Sequence, residues 1–393
     1  MSNERQPRHV NTGSAHGSSQ SSGRKISRSS AARPAAPAQQ QASRPAPVSR
    51  ANPKKKKSAW KPVLVTLICI LLILAAIFAG IYKWVARSIR PDGDAPTISE
   101  IINTPDEYKG DVVNVLVCGI REGMTDMIMY VNFDVANKKI NMFQIPRDTY
   151  PGEDYKTGGT GKINAIASMN GGMASLVELI YDQYKLPIDY YVSIDIASLR
   201  DIVDVFGGIE VYVPRDMEYK GSVLKQGMRN LKGDALEFFL RNRHGDGYAE
   251  GDLARLDMQR YFYQALFERI RTATVFDLAK LTPVALSYVE TDIPVKELIS
   301  MGVSFLQVDS ANIMMCKAPV YGAAEKYNGQ YSIVVADPVS ITELLNTYFR
   351  TYGGPVDQLN IPTLPTAGGL HQANVQYMGQ LDTQVESQQS SGQ

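Results

Sequence analysis

Cysteine is nearly absent from this chain: 393 residues carry three, Cys69, Cys118 and Cys316. Their spacing suits neither a disulfide framework nor a thiolate metal site. Cys118 and Cys316 fall in short apolar stretches, NVLVCG and NIMMCKA. They read as buried free thiols that pack like small hydrophobes, with a Cys118–Cys316 bridge as the alternative. Histidine is also sparse, at four copies. No His-rich metal signature, Ser-His-Asp order or P-loop lysine pattern is present, so none of those chemistries is signalled. Large apolar side chains are scarce in residues 1–58, where Ser, Ala, Gln, Arg and Pro prevail. Such a segment buries too little to offset its chain entropy and is expected to be disordered. Residues 351–393, rich in Gly, Pro, Gln, Ser and Thr, read as a second low-complexity tail. What remains, 111–350, is long enough for one large domain or two small ones.

Acid is missing from the amino-terminal segment, which holds twelve Lys or Arg against the single Glu4. The near-zero net charge of +1 therefore hides a basic tail and a net acidic remainder. Charge is then absent altogether from residues 62–82, a 21-residue run of mostly Leu, Ile, Val, Ala and Phe. As a helix this run is ~31 Å long, the thickness of the hydrocarbon core. Trp60, Tyr82 and Trp84 flank it, where amphipathic rings favour the interface. Residues 59–85 are thus expected to form an uncleaved transmembrane helix; a signal peptide has a shorter apolar stretch and rarely follows so long a leader. Lys54, Lys55, Lys56, Lys57 and Lys61 precede the run, and only Lys83, Arg87 and Arg90 follow it closely. The positive side stays inside, which puts the amino terminus in the cytoplasm and the large domain outside. The lysine cluster also suits acidic membrane lipids, and nucleic acid is the lesser alternative.

Beyond a linker at 86–110, VVNVLVC, DMIMYVNFD and KINMFQI read as strands, the last two joined at ANKK. They are apolar on both faces, so the sheet is expected to be covered on both sides. Residues 172–185 have helical periodicity, with Leu176, Leu179, Ile180 and Tyr184 on one stripe. IDYYVSID is a strand, IASLRDIVDVF a helix closed by Gly207 and Gly208, and IEVYV a strand. Helices are expected at 252–271, 276–289, 294–305 and 339–349, with a strand at 312–316. The alternation predicts an α/β fold, a mixed central sheet with helices on both faces, preceded by the membrane helix.

Charge interrupts the apolar pattern at four places. CGIREGMTDM carries Arg121 and Asp126. IPRDTY places Arg147 and Asp148 directly after a strand, and GGTGKINA carries Lys162 and Asn164. FLRNRHGDGYAEGDLARLDMQR supplies Arg241, Arg243, His244, Asp246, Asp252, Arg255 and Arg260. On an extended backbone Arg241 and Arg243 point the same way. Arg255 lies in the first turn of a helix, whose amides also favour anions. Guanidinium forks match phosphate oxygens bidentately, so this concentration of arginine points to a phosphate or pyrophosphate site. Asp126, Asp148 and Asp252 are candidates to hold a hard divalent cation or to orient the arginines. The plainer readings are surface ion pairs for Arg147–Asp148 and a helix cap for Asp252.

Taken together, NVLVCG, TDMIMYVNFD, IPRDTY, KINA, IDYYVSID, FGGIEVYVP and LRNRHGDGYAEGDLARLDMQ resemble the LytR–CpsA–Psr family. The likeness is collinear, close over about 111–271 and weaker to about 350. It implies a membrane-anchored enzyme of a Gram-positive-type bacterium. Such an enzyme transfers a glycopolymer, of teichoic acid or capsule type, from a polyprenyl-pyrophosphate carrier to peptidoglycan. Carried over by position, Arg147, Arg241, Arg243 and Arg255 grip the pyrophosphate, and Asp126 holds Mg²⁺. Asp148 and Asp252 orient the arginines or assist the metal, while Lys162 and Asn164 shape the loop. The resemblance also implies a Gly-x-Asp-x-Arg first loop, whereas this chain has Gly119, Ile120, Arg121 and Glu122. Arg121 is then the candidate for the loop arginine, and Mg²⁺ binding is expected to be weakened. Met258 stands where an arginine is common, with Arg260 as the nearby candidate to compensate.

Overall fold

The computed structural model describes residues 110–391 apart from 220, 246–247, 249, 275–276, 278–279, 281–283 and 285–286, together with Gly80, Lys83 and Tyr108. These lie in one compact unit, Leu64–Gln393; the other unit, Met1–Val63, is outside the described residues. Nearly all of the apolar run 62–82 is outside them too, as is Asp246. No helix among the described residues is long and apolar enough to cross a membrane.

Three consecutive strands open the domain: β1 (Val112–Arg121), β2 (Met124–Asp134) and β3 (Lys139–Ile145). Glu122 and Gly123 alone join the first two, and both have positive φ, 50° and 77°. This is the backbone of a two-residue hairpin turn whose twist matches the strands. β4 (Tyr190–Asp195) lies parallel to β1, and β10 (Ile313–Lys317) parallel to β3. β9 (Val289–Thr291) and β14 (Gln376–Tyr377) close the edges of a seven-stranded sheet, in the order β14-β10-β3-β2-β1-β4-β9. Smaller pieces are the ribbon of β5 (Ile209–Val213) with β8 (Gly227–Leu231) and that of β6 (Met217–Tyr219) with β7 (Ser222–Leu224). A second sheet joins β11 (Val320–Ala323), β12 (Val334–Ala336) and β13 (Thr366–His371).

Eight α-helices are described. They are α1 (Ile166–Asn170), α2 (Met173–Tyr184), α3 (Ile196–Val205), α4 (Gly233–Arg241), α5 (Asp252–Arg271), α6 (Val295–Phe305), α7 (Pro338–Tyr348) and α8 (Met378–Ser391). Alternating side chains of the central sheet serve opposite faces. Leu116, Tyr130 and Phe143 are cross-strand partners on one face. They pack against Ile166, Leu176, Ile180 and Leu345 of α1, α2 and α7. Phe133, Ile140 and Ile313 are partners on the other. There they meet Phe267 of α5, Phe305 of α6, and Met378 and Leu381 of α8. The mixed sheet covered on both faces is therefore the observed architecture. Cys118 and Cys316 are buried, free thiols, and burial pushes the Cys316 thiol up to about 12.

The structure corrects the sequence reading in three places. Residues 351–391 do not lack structure: they supply β13, β14 and α8, with Leu359, Ile361, Met378, Leu381 and Val385 buried. Met378, Leu381 and Val385 recur at helical spacing, so one narrow stripe suffices to dock an otherwise polar helix. Of the helix expected at 276–289, the described residues 277, 280, 284, 287 and 288 are helical, and only its last position differs: Val289 opens β9. Arg241 is not on an extended strand but is the last residue of α4.

Candidate functional site

Arg147 leaves the end of β3 through Pro146. The β2–β3 ladder ends at the Ile128–Ile145 pair, and Asp126 and Arg147 each lie two residues beyond it. The side chains meet there, with Arg147 Nη1 donating to Asp126 Oδ1 at 2.8 Å. From the start of α5, Asp252 reaches the same guanidinium, 3.3 Å from Nη2. Asp148 Oδ1 stands 4.0 Å from Arg147 Nε and 2.9 Å from Lys162 Nζ. Asp252 does not cap its helix, since Gly251 holds the N-cap position. It accepts instead a bidentate pair from Arg255, Nε at 3.1 Å and Nη2 at 3.0 Å. Arg243 Nη1 lies 4.0 Å from the same carboxylate.

Two members of this network, Arg147 and Asp252, are held in their charged states. Burial opposes the charge of Arg147, but Asp252, Asp126 and Asp148 outweigh it and raise the guanidinium's pKa further. Burial acts to raise the Asp252 carboxyl, yet Arg255 and Arg147 hold it below the ordinary carboxylate range. Arg147 Nε is a buried donor without a hydrogen-bond partner among the described residues. A donor left so costs ~1–3 kcal/mol.

A cavity of about 360 Å³ opens beside these groups, and five guanidinium groups line it: Arg121, Arg147, Arg241, Arg243 and Arg255. Asp126, Glu237 and Phe238 complete much of its wall. Arg241 arrives at the C-terminus of α4, paired with Glu237 one turn earlier. Asn242, extended at φ −62° and ψ 136°, turns the chain so that Arg243 follows it into the same cavity. The convergence expected of the two arginines is found, although a helix end rather than a strand produces it. His244 lines the cavity as well. Glu237 was not singled out in the sequence, though its i, i+4 spacing to Arg241 was visible there.

Other candidates lie elsewhere. Asp148 and Asp252 line a neighbouring cavity. Lys162 pairs with Asp148, and the Asn164 backbone N–H donates to Arg147 O at 3.2 Å, so KINA braces the strand end. Arg260 does not stand in for an arginine at Met258. It is buried and donates to the carbonyls of Asn374 and Ala373, while Met258 packs in the core beside Phe262. Glu122 projects outward, 79% exposed, and pairs with its neighbour Arg121. No group of three or more His, Cys, Asp or Glu among the described residues is placed to hold a metal. A hard cation there would take one carboxylate, Asp126, and complete its shell with ligand phosphate oxygens and water.

The sequence profile of the LytR_cpsA_psr family matches residues 92–348. The chain belongs to this family. Among curated LytR_cpsA_psr relatives, it is 32% identical over 217 residues to the Bacillus subtilis polyisoprenyl-teichoic acid–peptidoglycan teichoic acid transferase TagV, covering 51% of this chain and 54% of that protein. It is 29% identical over 225 residues to the Staphylococcus aureus regulatory protein MsrR, covering 55% and 67%. The match thus spans about half the length of TagV. A crystal structure of a Streptococcus agalactiae protein shares the fold, with a TM-score of 0.53 at 18% identity over 68% of this chain and 95% of that one.

Proposed function

We propose that the chain is a transferase that moves a glycopolymer, of teichoic acid or capsule type, from a polyprenyl-pyrophosphate carrier to peptidoglycan. The observation that carries this reading is the cavity lined by five guanidinium groups. A diphosphate is the ligand whose charge and paired oxygens match that lining. TagV, by its name, catalyses such a transfer. Arg147, Arg241, Arg243 and Arg255 would grip the diphosphate, and Arg121 its outer edge. These groups neutralise the charge that gathers on the departing polyprenyl phosphate while a sugar hydroxyl attacks phosphorus in line. Asp126 would hold a Mg²⁺ ion, which when bound supplies further charge neutralisation.

The apolar run 62–82 would anchor the enzyme as a single span, with the basic tail on the cytoplasmic lipid surface and the domain outside a Gram-positive-type cell. Full-length protein extracted in detergent should carry polyprenyl phosphates detectable by mass spectrometry, and it should bind geranylgeranyl pyrophosphate in calorimetry. Mg²⁺ alone should bind weakly, and more tightly once geranylgeranyl pyrophosphate is present. Absence of diphosphate binding would overturn the reading. A second reading, a non-catalytic binder of lipid-linked polymer, is favoured by the trimmed turn at Glu122–Gly123, which leaves no aspartate ahead of Arg121. It predicts carrier binding with no transfer to peptidoglycan strands.

A further inference from the structure

A second cavity, of about 330 Å³, adjoins the first across the Arg147–Asp252 ion pair. This volume lies in the range of small-molecule sites. Its chemistry is the opposite of its neighbour's: Asp148, Asp252 and Glu250 line it together with His371, Ser332 and apolar Ile333. Four separate segments build it. β12 is stitched to the strand end that carries the arginine site, because Val334 N–H donates to Asp148 O and Tyr150 N–H to Val334 O, each at 2.9 Å. β13 delivers His371 at its last residue, paired with Val320 of β11. The turn before α5 supplies Glu250, whose Oε1 lies 3.2 Å from His371 Nδ1. Behind Glu250, at 4.0 Å from its Oε2, is Lys317 Nζ, on a side chain only 1% exposed.

We propose that this cavity is the acceptor subsite, and that the His371–Glu250 pair takes the proton of the attacking sugar hydroxyl. The inference rests on the transferase reading and adds to it the half of the reaction that the arginines leave out. An acid-lined, uncharged-ligand pocket suits a polyol, since carboxylates accept hydrogen bonds from hydroxyl groups and repel a second anionic carrier. The wall shared with the arginine cavity puts an acceptor oxygen beside the diphosphate rather than remote from it.

Asp148 and Asp252 are each committed to cations: Asp148 to Lys162, and Asp252 to Arg147 and Arg255. His371 is not so committed. With Nδ1 engaged by Glu250, Nε2 is the nitrogen left to accept a proton, and the carboxylate stabilises the imidazolium that results. The acceptor oxygen forms the new bond to the phosphorus that bears the glycopolymer. The bond from that phosphorus to the bridging oxygen breaks, and polyprenyl phosphate leaves with the electron pair. The hydroxyl proton passes to His371 Nε2 and then to water.

The test uses the full-length protein in detergent, a lipid-pyrophosphate-linked saccharide as donor and uncrosslinked peptidoglycan strands as acceptor. His371→Gln should lower the kcat of transfer at least ~100-fold, the usual contribution of a general base, while geranylgeranyl pyrophosphate binding stays within twofold. Ser332→Trp, at the exposed rim, should fill the cavity and raise the acceptor KM at least tenfold without altering diphosphate binding. Transfer by His371→Gln within threefold of wild type, or an unchanged acceptor KM in Ser332→Trp, would overturn the assignment. Failure of the wild-type protein to bind geranylgeranyl pyrophosphate would instead bring down the transferase reading itself.

Discussion

The arginines of the site divide into two kinds. Arg241 and Arg243 are 40% and 47% exposed, whereas Arg147 is 15% exposed and shared among three carboxylates. Arg241→Ala or Arg243→Ala should therefore weaken geranylgeranyl pyrophosphate binding by roughly 10- to 150-fold, the worth of one charge-assisted contact. Their melting temperatures should stay within about 1 °C of wild type. Arg147→Ala should do both kinds of damage. It leaves Asp126, Asp148 and Asp252 facing one another with less counter-charge, at a cost of ~3 kcal/mol read by denaturant unfolding. Unchanged stability in Arg147→Ala would show that the ion-pair network is not structural. Sequence made the arginines and aspartates legible because charge beside apolar strands is conspicuous. His371 and Glu250 were not legible, because a lone histidine in a polar tail resembles any solvent-facing residue until the fold brings the carboxylate to it.

Away from the site, burial pushes the Asp292 carboxyl up to about 6, against the lowering effect of the hydrogen bond that it accepts from the Tyr191 N–H. An unfolded aspartate titrates near ~3.9, so the native state holds this proton more tightly than the unfolded chain does. The resulting stabilisation is full below ~4 and is lost as the pH rises through about 6. Asp292→Asn keeps an acceptor for Tyr191 and removes the charge. Calorimetry should find it more stable than wild type at pH 8 and little changed at pH 4.5. A lower melting temperature at pH 8 would contradict this.

At the scale of elements, periodic segments were legible and sparse ones were not. The helix expected at 252–271 is α5 to the residue, and the three opening strands and the helix after Gly172 appear where alternation and periodicity put them. The strands between Met217 and Leu231 escaped notice because two are three residues long, too short for a period to register, and the third, GMRNL, mixes glycine, Arg229 and Asn230 into its apolar pattern. The last forty residues escaped because average composition conceals three well-spaced apolar side chains. Those side chains make a firm prediction. Leu381 is 1% exposed in the cluster with Phe267 and Met315, so Leu381→Ala should cost ~2–4 kcal/mol by denaturant unfolding. A chain ending at Arg350 loses β13, β14 and α8 together. It should bind a dye specific for exposed apolar surface and melt without a cooperative transition, whereas a sharp transition at the wild-type temperature would mean that α8 is dispensable.

For the whole molecule, charge asymmetry about residues 62–82 gives the proposed orientation its test. Alkaline phosphatase fused after Gln393 should be active in cells, and a cytoplasmic reporter at the same point silent; the reverse pattern would invert the topology. The clasp of residues 366–391 onto β10 and β11 also has a consequence in time. Synthesis runs from the amino to the carboxyl end, so the arginine cavity emerges well before the segment that carries His371. On the proposed reading, a nascent chain settles neither its arginine cavity nor its acceptor wall until that segment docks, because Met378 and Leu381 complete the core on one face of the sheet. Proteolysis at the carboxyl end would therefore release the carrier and abolish transfer together, leaving no half-active remnant to compete with intact copies.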